Sequence, residues 1–475
     1  LIAASIYWDG VRMPKRITKE QRDAVLHLLV EGHDRNLIAE VVGVTPGQVS
    51  AVSAHVKMGT YSLPDLETRK PNGIAVESRA AEALKRLEDA APAGPAYAQA
   101  APVLLGDDVE TGDPVYWNPD PASGLTNPHV LIVGESGSGK TYAICCLLAE
   151  LARQGVVSIV FDYGQGFSAQ SLPPEFLKAV KVVELHASRD GIDLNPLQIF
   201  PSDVHGPVNV AQRVADTFAR VYPKIGVQQH AILREAVLQT LERGGVDAER
   251  RDTWHYEPPA FNSLHDRLNQ VSANETGPSA RYAASVASHV ATLFFFNTLR
   301  PNGQKVDWEK MLGARGVVFV IQLKGLELSL ERAITEFLLW NLIGFIESSG
   351  PGPLKLFVVL DEAHKVSFDA GSPVEKMLRE GRKFGLGAIL ASQQLDDFSQ
   401  VASGNTATKL VFQVADERST ISRQLHRKVK DAHSFGEIYQ LITKLPRGCA
   451  YVVTENIGRV VRVASFRDRV NRWVS

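Results

Sequence analysis

The sequence predicts an α/β fold: a mostly parallel sheet flanked by helices, interrupted by a helical insertion and preceded by a small all-α module. Three observations carry this. From about residue 130 onward, short apolar strands alternate with helix-like segments, the pattern of a doubly wound sheet. One of these strands runs into a glycine-rich loop, and an apolar helix-like run follows directly. Near the start of the chain, three helical stretches are separated by turns.

The glycine-rich loop is Gly134-Glu135-Ser136-Gly137-Ser138-Gly139-Lys140-Thr141, after the β-prone run His129 to Val133. It fits G-x-x-x-x-G-K-[ST] in a strand–loop–helix context. Its glycines let backbone N–H groups turn inward around phosphate oxygens. The N-terminus of the next helix adds the positive end of its dipole. These eight residues are the candidate nucleotide site, with ATP and Mg2+ the expected ligands. Lys140 would reach the β- and γ-phosphates, and the Thr141 hydroxyl would hold Mg2+.

Composition sets the limits. The chain has 475 residues, 44% hydrophobic and 22% charged, an ordinary soluble globular balance with room for an accessory module. Net charge is −2, so any nucleic-acid contact must come from local patches. Cys145, Cys146 and Cys449 show no zinc-site spacing, and a cytoplasmic, reducing location is expected. Ala333 to Ile346 is the nearest approach to a membrane span, but Thr335, Glu336 and Asn341 interrupt it, so no membrane contact is expected. The chain begins at Leu1 and not Met, as the later part of a longer protein would.

In order, Ile2 to Trp8 reads as a short strand. Thr18 is a helix N-cap, with Gln21 as its capping-box partner and the helix running to about Val30. Asn36 to Val42 and Pro46 to Val56 are two further helices around a Gly43-Val44-Thr45 turn. Together they look like a helix-turn-helix over residues 1–61, with Ala39 where the helices cross and Val49 on the inner face. A small bundle that binds protein or merely packs fits the same residues. Residues 62–101 shift to Ala, Pro and charge: a solvated helix from Val76 to Ala90 and a linker at Ala91 to Pro95. The main domain spans 102–475. It opens with a hairpin, Leu104 to Trp117, turning at Glu110-Thr111-Gly112-Asp113. Strands follow at Val157 to Phe161, Val182 to Leu185, Val317 to Leu323, Leu356 to Leu360, Ala388 to Ala391 and Leu410 to Val414. Between them, 201–304 is the helical insertion, with helices at Ala211 to Val221, Gln228 to Glu242 and Leu264 to Val271. A closing hairpin occupies 449–464, and the amphipathic tail Phe466 to Ser475 is placed against a neighbouring subunit.

The buried strand Leu356 to Leu360 ends in Asp361-Glu362. Open α/β sheets place such strand ends at the ligand crevice. Asp361 would bind Mg2+ through water, and Glu362 would orient or deprotonate the attacking water. This requires the two strand ends, the glycine cradle and the paired acids, to lie side by side. Asp361-Glu362-Ala363-His364 also spells the box of another helicase class. The long separation from Lys140 and the absence of that class's downstream motifs argue against it, and His364 reads as a local hydrogen-bonding residue.

Next come Gly381-Arg382-Lys383 and the strand end Ala391-Ser392-Gln393. With the loop at Gly134 to Thr141, Asp361-Glu362 and the upstream Leu104-Gly106-Asp108-Gly112 segment, these occur in the order of the HerA/FtsK superfamily of ring-forming, DNA-pumping ATPases. The resemblance covers about Val103 to Ala464 and implies a RecA-like P-loop NTPase core. It implies that Arg382 acts as an arginine finger in the neighbouring subunit's site, and that Gln393 senses the γ-phosphate. A surface cation and a backbone-satisfied amide are the bland readings of these two residues. Phe161-Asp162-Tyr163-Gly164-Gln165-Gly166 matches a family Asp-Pro-x-Gly-Glu stretch. Here Tyr163 replaces the proline and Gln165 the acid, which removes that carboxylate. Asn195-Pro196-Leu197 also matches a family segment.

The resemblance implies a homo-oligomer, a hexamer, that translocates on double-stranded DNA with a nuclease or other effector partner. The context is DNA processing or phage defence, with the DptH-like ATPase of phosphorothioate-linked restriction as the nearest suggestion. Two alternatives stay open: a conjugation or secretion motor, and an ATP-binding scaffold that assembles an effector with little DNA pumping. Residues 404–475 carry thirteen Lys/Arg against six Asp/Glu, including Arg423, Arg427, Lys428 and Lys430. A phosphate-contacting ring lining needs such a surplus; subunit–subunit ion pairs would use it equally. Residues 11–60 carry seven against five, a weak footprint for DNA contact by the front module.

Overall fold

The computed structural model describes residues 17–30, 35–57, 101–120, 125–274, 276–425, 435–454 and 457–474. The strand expected at Ile2 to Trp8, the helix and linker at 76–95, and Arg427, Lys428 and Lys430 lie outside the described residues. The chain divides into two compact units, Leu1–Ala96 and Tyr97–Ser475.

In the first unit, helices Lys19–Val30, Arg35–Val42 and Pro46–Lys57 pack around Val25, Ile38, Ala39, Val49 and Val52. Thr18 and Gln21 form the expected reciprocal cap: each backbone N–H meets the other's side-chain oxygen, at 3.0 and 3.1 Å. Thr45 and Gln48 repeat the device at the third helix. Gly43 takes a left-handed φ of 70°, which lets the Val44 N–H return to the Ala39 carbonyl and close the turn.

The second unit is built on one eleven-stranded sheet. Its strands in sequence are β1 (Val103–Asp108), β2 (Pro114–Trp117), β3 (Val130–Val133), β4 (Val157–Asp162), β5 (Lys181–His186), β8 (Val317–Gln322), β9 (Leu356–Leu360), β10 (Leu386–Ser392), β11 (Thr408–Val411), β12 (Cys449–Thr454) and β13 (Ile457–Val463). They stand in the order β2-β1-β13-β12-β11-β3-β10-β9-β4-β8-β5. From β11 to β5 all neighbours are parallel; β12, β13, β1 and β2 extend the sheet antiparallel. Alternate residues of each central strand enter one of two cores. Leu131 and Val133 face one side; Val130 and Ile132 face the other, against the phosphate-loop helix Lys140–Arg153. Burial on both faces explains why these strands read as continuous apolar runs.

The insertion holds four helices, Pro207–Val221, Val227–Arg243, Asn262–Asn274 and Pro278–Phe296, one more than the sequence pattern marks. A two-residue parallel pair, β6 (Ile192–Asp193) with β7 (Gln304–Lys305), stitches its two ends together. Asn195 fixes the entrance: its Oδ1 accepts from Leu197 N–H at 3.0 Å, and its Nδ2 donates to the Pro259 carbonyl at 2.9 Å. Half-buried Arg220 reaches the buried Glu336 of the helix Leu328–Ser348, with Nε 2.9 Å from Oε2.

Two expectations need correction. The cradle strand β3 and the acid strand β9 are not neighbours, because β10 hydrogen-bonds to both and lies between them. The tail helix Phe466–Val474 docks on its own chain: Arg469, fully buried, contacts Glu150 of the phosphate-loop helix at 3.0 Å. The amphipathic pattern is legible in the sequence, but its partner is not. Among the described residues, no helix is long and apolar enough to cross a membrane.

Candidate nucleotide site

The loop Gly134 to Gly139 lies at the C-terminal edge of the parallel strands, held from three sides. Gly134 N–H donates to the Ser392 carbonyl at the end of β10 (3.3 Å), and Glu135 N–H to the Gln413 carbonyl beyond β11 (2.8 Å). Gly448 N–H, at the start of β12, donates to the Ser138 carbonyl (3.1 Å). A Cβ on Gly134 would stand 2.5 Å from Phe412 Cβ and 2.7 Å from Ser138 Oγ, so only glycine fits there. Gly137 and Gly139 have φ of 79° and 118°, values that L side chains rarely adopt. The backbone is thereby bent into a cradle that opens on the first turn of the helix Lys140–Arg153. Lys140 Nζ folds over the loop, donating to the carbonyls of Gly134 and of Glu135. Burial lowers the Lys140 pKa, opposed by Glu362, Asp361 and Glu135.

Across the cleft, β9 ends in Asp361, which is largely buried, and Glu362. Glu362 has a left-handed backbone (φ 59°, ψ 53°), uncommon for a residue with a side chain and typical of strained functional positions. Gln393, exposed just past β10, donates from Nε2 to Glu362 Oε1 at 3.3 Å. His364 Nδ1 stands 3.3 Å from Ser392 Oγ and 3.3 Å from Glu362 Oε2, which makes no hydrogen bond among the described residues. Burial, then the charges of Glu362 and Asp162, push Asp361 up to about 7, while Lys140 acts against the rise.

The loop after β4 closes the site beside the acids. Asp162 accepts from the N–H groups of Gly164 (3.0 Å), Gly166 (3.2 Å) and Phe167 (2.8 Å), curling the chain around its carboxylate. A Cβ on Gly166 would lie 3.7 Å from both Asp361 Oδ2 and Thr141 Cγ2, so this loop borders both residues. Tyr163 is buried, its hydroxyl bonded to Thr335 Oγ1 at 2.9 Å. Gln165 Oε1 accepts from Lys324 Nζ at 3.1 Å, a polar contact away from the acids.

One cleft of about 250 Å³ therefore gathers Ser136, Gly137 and Gly139 to Tyr142 of the loop with Asp361, Glu362 and Gln393. Arg382 is not brought to it. It sits in the turn before β10, and its guanidinium donates to the Thr126 carbonyl ahead of β3. That is the opposite edge of the parallel strands, a strand length of roughly 13 Å or more from the phosphate loop. The cleft also contains two side chains the sequence does not nominate. Tyr142 follows Thr141 directly, and its ring packs edge-on against Phe466. Arg447 comes from the turn before β12, with no local signal to mark it.

The residues suit a metal-bound nucleotide triphosphate. The donor set beside the cradle is hydroxyl and carboxylate oxygen, the hard ligands Mg2+ takes, and Ser138 Oγ is buried without a partner among the described residues. Among those residues no cluster of three or more His, Cys, Asp and Glu could hold a metal.

The fold and this cleft define a P-loop ATPase of the RecA-like kind. A family model described as "Helicase HerA, central domain" matches residues 121–342. No curated protein matches the chain. Among solved structures, VirB4 of Thermoanaerobacter pseudethanolicus is 16% identical, covering 76% of this chain and 96% of its own, with a TM-score of 0.62. The bacterial conjugative coupling protein TrwBdeltaN70, in its unbound monoclinic form, is 17% identical, covering 74% and 87%, with a TM-score of 0.51. The match to the HerA central domain is confined to residues 121–342, and the fold is the one shared with VirB4 and TrwBdeltaN70.

Proposed function

We propose that this protein is a ring-forming, ATP-hydrolysing DNA translocase that works in the cytoplasm with a nuclease or other effector, in DNA processing or phage defence. The observation that carries the ring is the division of the chemistry. Lys140, Thr141, Asp361, Glu362 and Gln393 share one cleft, while Arg382 stands at the far edge of the same sheet. A subunit built this way keeps Arg382 away from its own γ-phosphate, at an edge where a neighbour's site can take it.

In this reading, the loop N–H groups and Lys140 hold the phosphates of ATP in line. Thr141 and Asp361 hold Mg2+, which when bound neutralises charge on the β- and γ-phosphoryl oxygens. Glu362 accepts a hydrogen bond from the attacking water and takes up its proton. Gln393, bonded to Glu362, couples the position of that carboxylate to the γ-phosphate. Arg382 of the adjoining subunit enters as charge develops in the transition state. The basic C-terminal part and the front module supply phosphate contacts to duplex DNA. That reading of the C-terminal part must discount three of its thirteen cations: Lys409 is buried on Ser403 and Thr406, Arg469 is buried on Glu150, and Arg447 lines the nucleotide cleft.

A second reading is supported by the likeness to the conjugative coupling protein TrwBdeltaN70: a motor for conjugation or secretion. ATPase activity with and without duplex DNA, alongside the mass of the assembly in solution, separates the readings. Strong stimulation of a hexamer by DNA supports the translocase. An oligomer whose turnover ignores DNA overturns it and favours a secretion motor or an assembly scaffold.

A further inference from the structure

We infer that Arg447 is a nucleotide-binding residue acting in cis on the α/β-diphosphate end of the bound nucleotide; this rests on the nucleotide reading of the cleft. The strand order gives the direction. Glu362 ends β9 and Gln393 follows β10, both on one side of the cradle strand β3. These groups mark the γ-phosphate end. Arg447 precedes β12, which lies on the other side of β3 beyond β11. Because β12 runs antiparallel to β11, its first residues stand at the same edge of the sheet as the phosphate loop.

The position is held through the backbone. Gly448 N–H donates to the Ser138 carbonyl at 3.1 Å, and a Cβ on Gly139 would lie only 3.6 Å from Gly448 Cα. The turn that carries Arg447 is thus fixed to the cradle itself. Its side chain is exposed and lines the cleft, and among the described residues it makes no hydrogen bond or ion pair. A planar fork of donors presented to the phosphates from the side opposite the acids suits a diphosphate, which both ATP and ADP carry. Lys140 and Arg447 then clamp the phosphate chain from two sides. The first is aided by the γ-phosphate machinery; the second is indifferent to it.

The test is ADP and AMP-PNP binding to the full chain, by titration calorimetry with Mg2+ present, for wild type, Arg447→Ala, Arg447→Lys and Lys444→Ala. Lys444 is an exposed cation three residues away that does not line the cleft. Arg447→Ala is expected to weaken both nucleotides by about tenfold, the size of one charge-assisted contact. Arg447→Lys recovers part of this, Lys444→Ala changes nothing, and turnover at saturating ATP falls less than about threefold. ADP affinity within about twofold of wild type for Arg447→Ala overturns the assignment. So does a loss confined to turnover, which would make Arg447 a group for the transition state or for a neighbour. If Arg447→Ala lowers the unfolding midpoint, Arg447→Lys and Arg447→Gln decide by the same ADP criterion. Failure of the wild-type chain to bind ADP sinks the nucleotide reading of the whole cleft, a result distinct from either.

Discussion

Arg469 Nη1 lies 3.0 Å from Glu150 Oε1, and both side chains are out of solvent. The pair joins the last helix of the chain to the helix that begins with Lys140. Arg469 also donates to the Leu104, Leu105 and Ala464 carbonyls, and Trp473 Nε1 donates to Glu150 Oε2 at 3.2 Å. Removing one partner strands a buried charge and several carbonyls. Arg469→Ala is expected to destabilise the chain by about 3–5 kcal/mol. Pairing it with Glu150→Leu should return much of that loss, since no unpaired carboxylate is left. Urea unfolding of both variants checks this; equal losses in the single and double variants would show that the carboxylate is not the source of the cost.

Glu362 and Gln393 allow a sharper separation of binding from chemistry. Glu362→Gln keeps the size and the contact distance but removes the base. Turnover should fall by roughly 10²-fold or more, the usual worth of positioned proton transfer. Nucleotide affinity should hold, because Lys140 and the loop are untouched. Lys140→Ala should lose the affinity itself. Single-turnover hydrolysis and nucleotide titration on the same preparations distinguish the two. An active Glu362→Gln would remove Glu362 as the catalytic acid–base group.

Much of the site can be read from local sequence because its parts are contiguous. The cradle needs eight residues in a row, and the paired acids simply follow a buried strand. What escapes depends on pairings between distant segments. The place of β10 between β3 and β9 is set by ladders on both its edges. Arg447 reaches the cleft only because β12 pairs antiparallel with β11, far along the chain from the loop. The helix Pro278–Phe296 buries Ala283, Val286, Ala287, Val290, Leu293 and Phe294 on one face, but Ala284, Phe295 and Phe296 are apolar and exposed, which blurs the one-faced period. The apolar run after β11 suggests strand to Val414, but the strand ends at Val411; Phe412 N–H still donates to the Val133 carbonyl at 2.7 Å, and its side chain lies buried under Gly134.

Arg382 gives a prediction that depends on assembly. Its distance from the loop in its own subunit means that, on the proposed function, its target is a neighbour's site. Arg382→Ala should lower turnover by about 10³ to 10⁵, as loss of an arginine finger does. Mixing Arg382→Ala with Lys140→Ala subunits should restore part of the activity, since some junctions then pair an intact cradle with an intact finger. Activity is read against protein concentration. Full turnover in dilute monomer, or no recovery on mixing, would place the finger elsewhere.

His129 predicts how the fold responds to acid. It sits fully buried just before β3, and its Nδ1 accepts from Ala388 N–H at 3.0 Å. Burial, with the nearby Arg382 charge adding to it, lowers its pKa to about 4 from the usual 6.5. Between these values the unfolded chain binds a proton that the folded chain refuses. The stability tied to this group is therefore complete above about pH 6.5 and is lost as pH falls toward 4. The full loss amounts to about 3 kcal/mol, since a tenfold change in proton affinity is worth about 1.36 kcal/mol. His129→Gln keeps an acceptor for Ala388 and cannot take up the proton. Its unfolding free energy, followed from neutral pH down to that lowered value, should decline less than that of the wild type by about this amount. Parallel decline in the two proteins would assign the acid sensitivity of the fold to other groups.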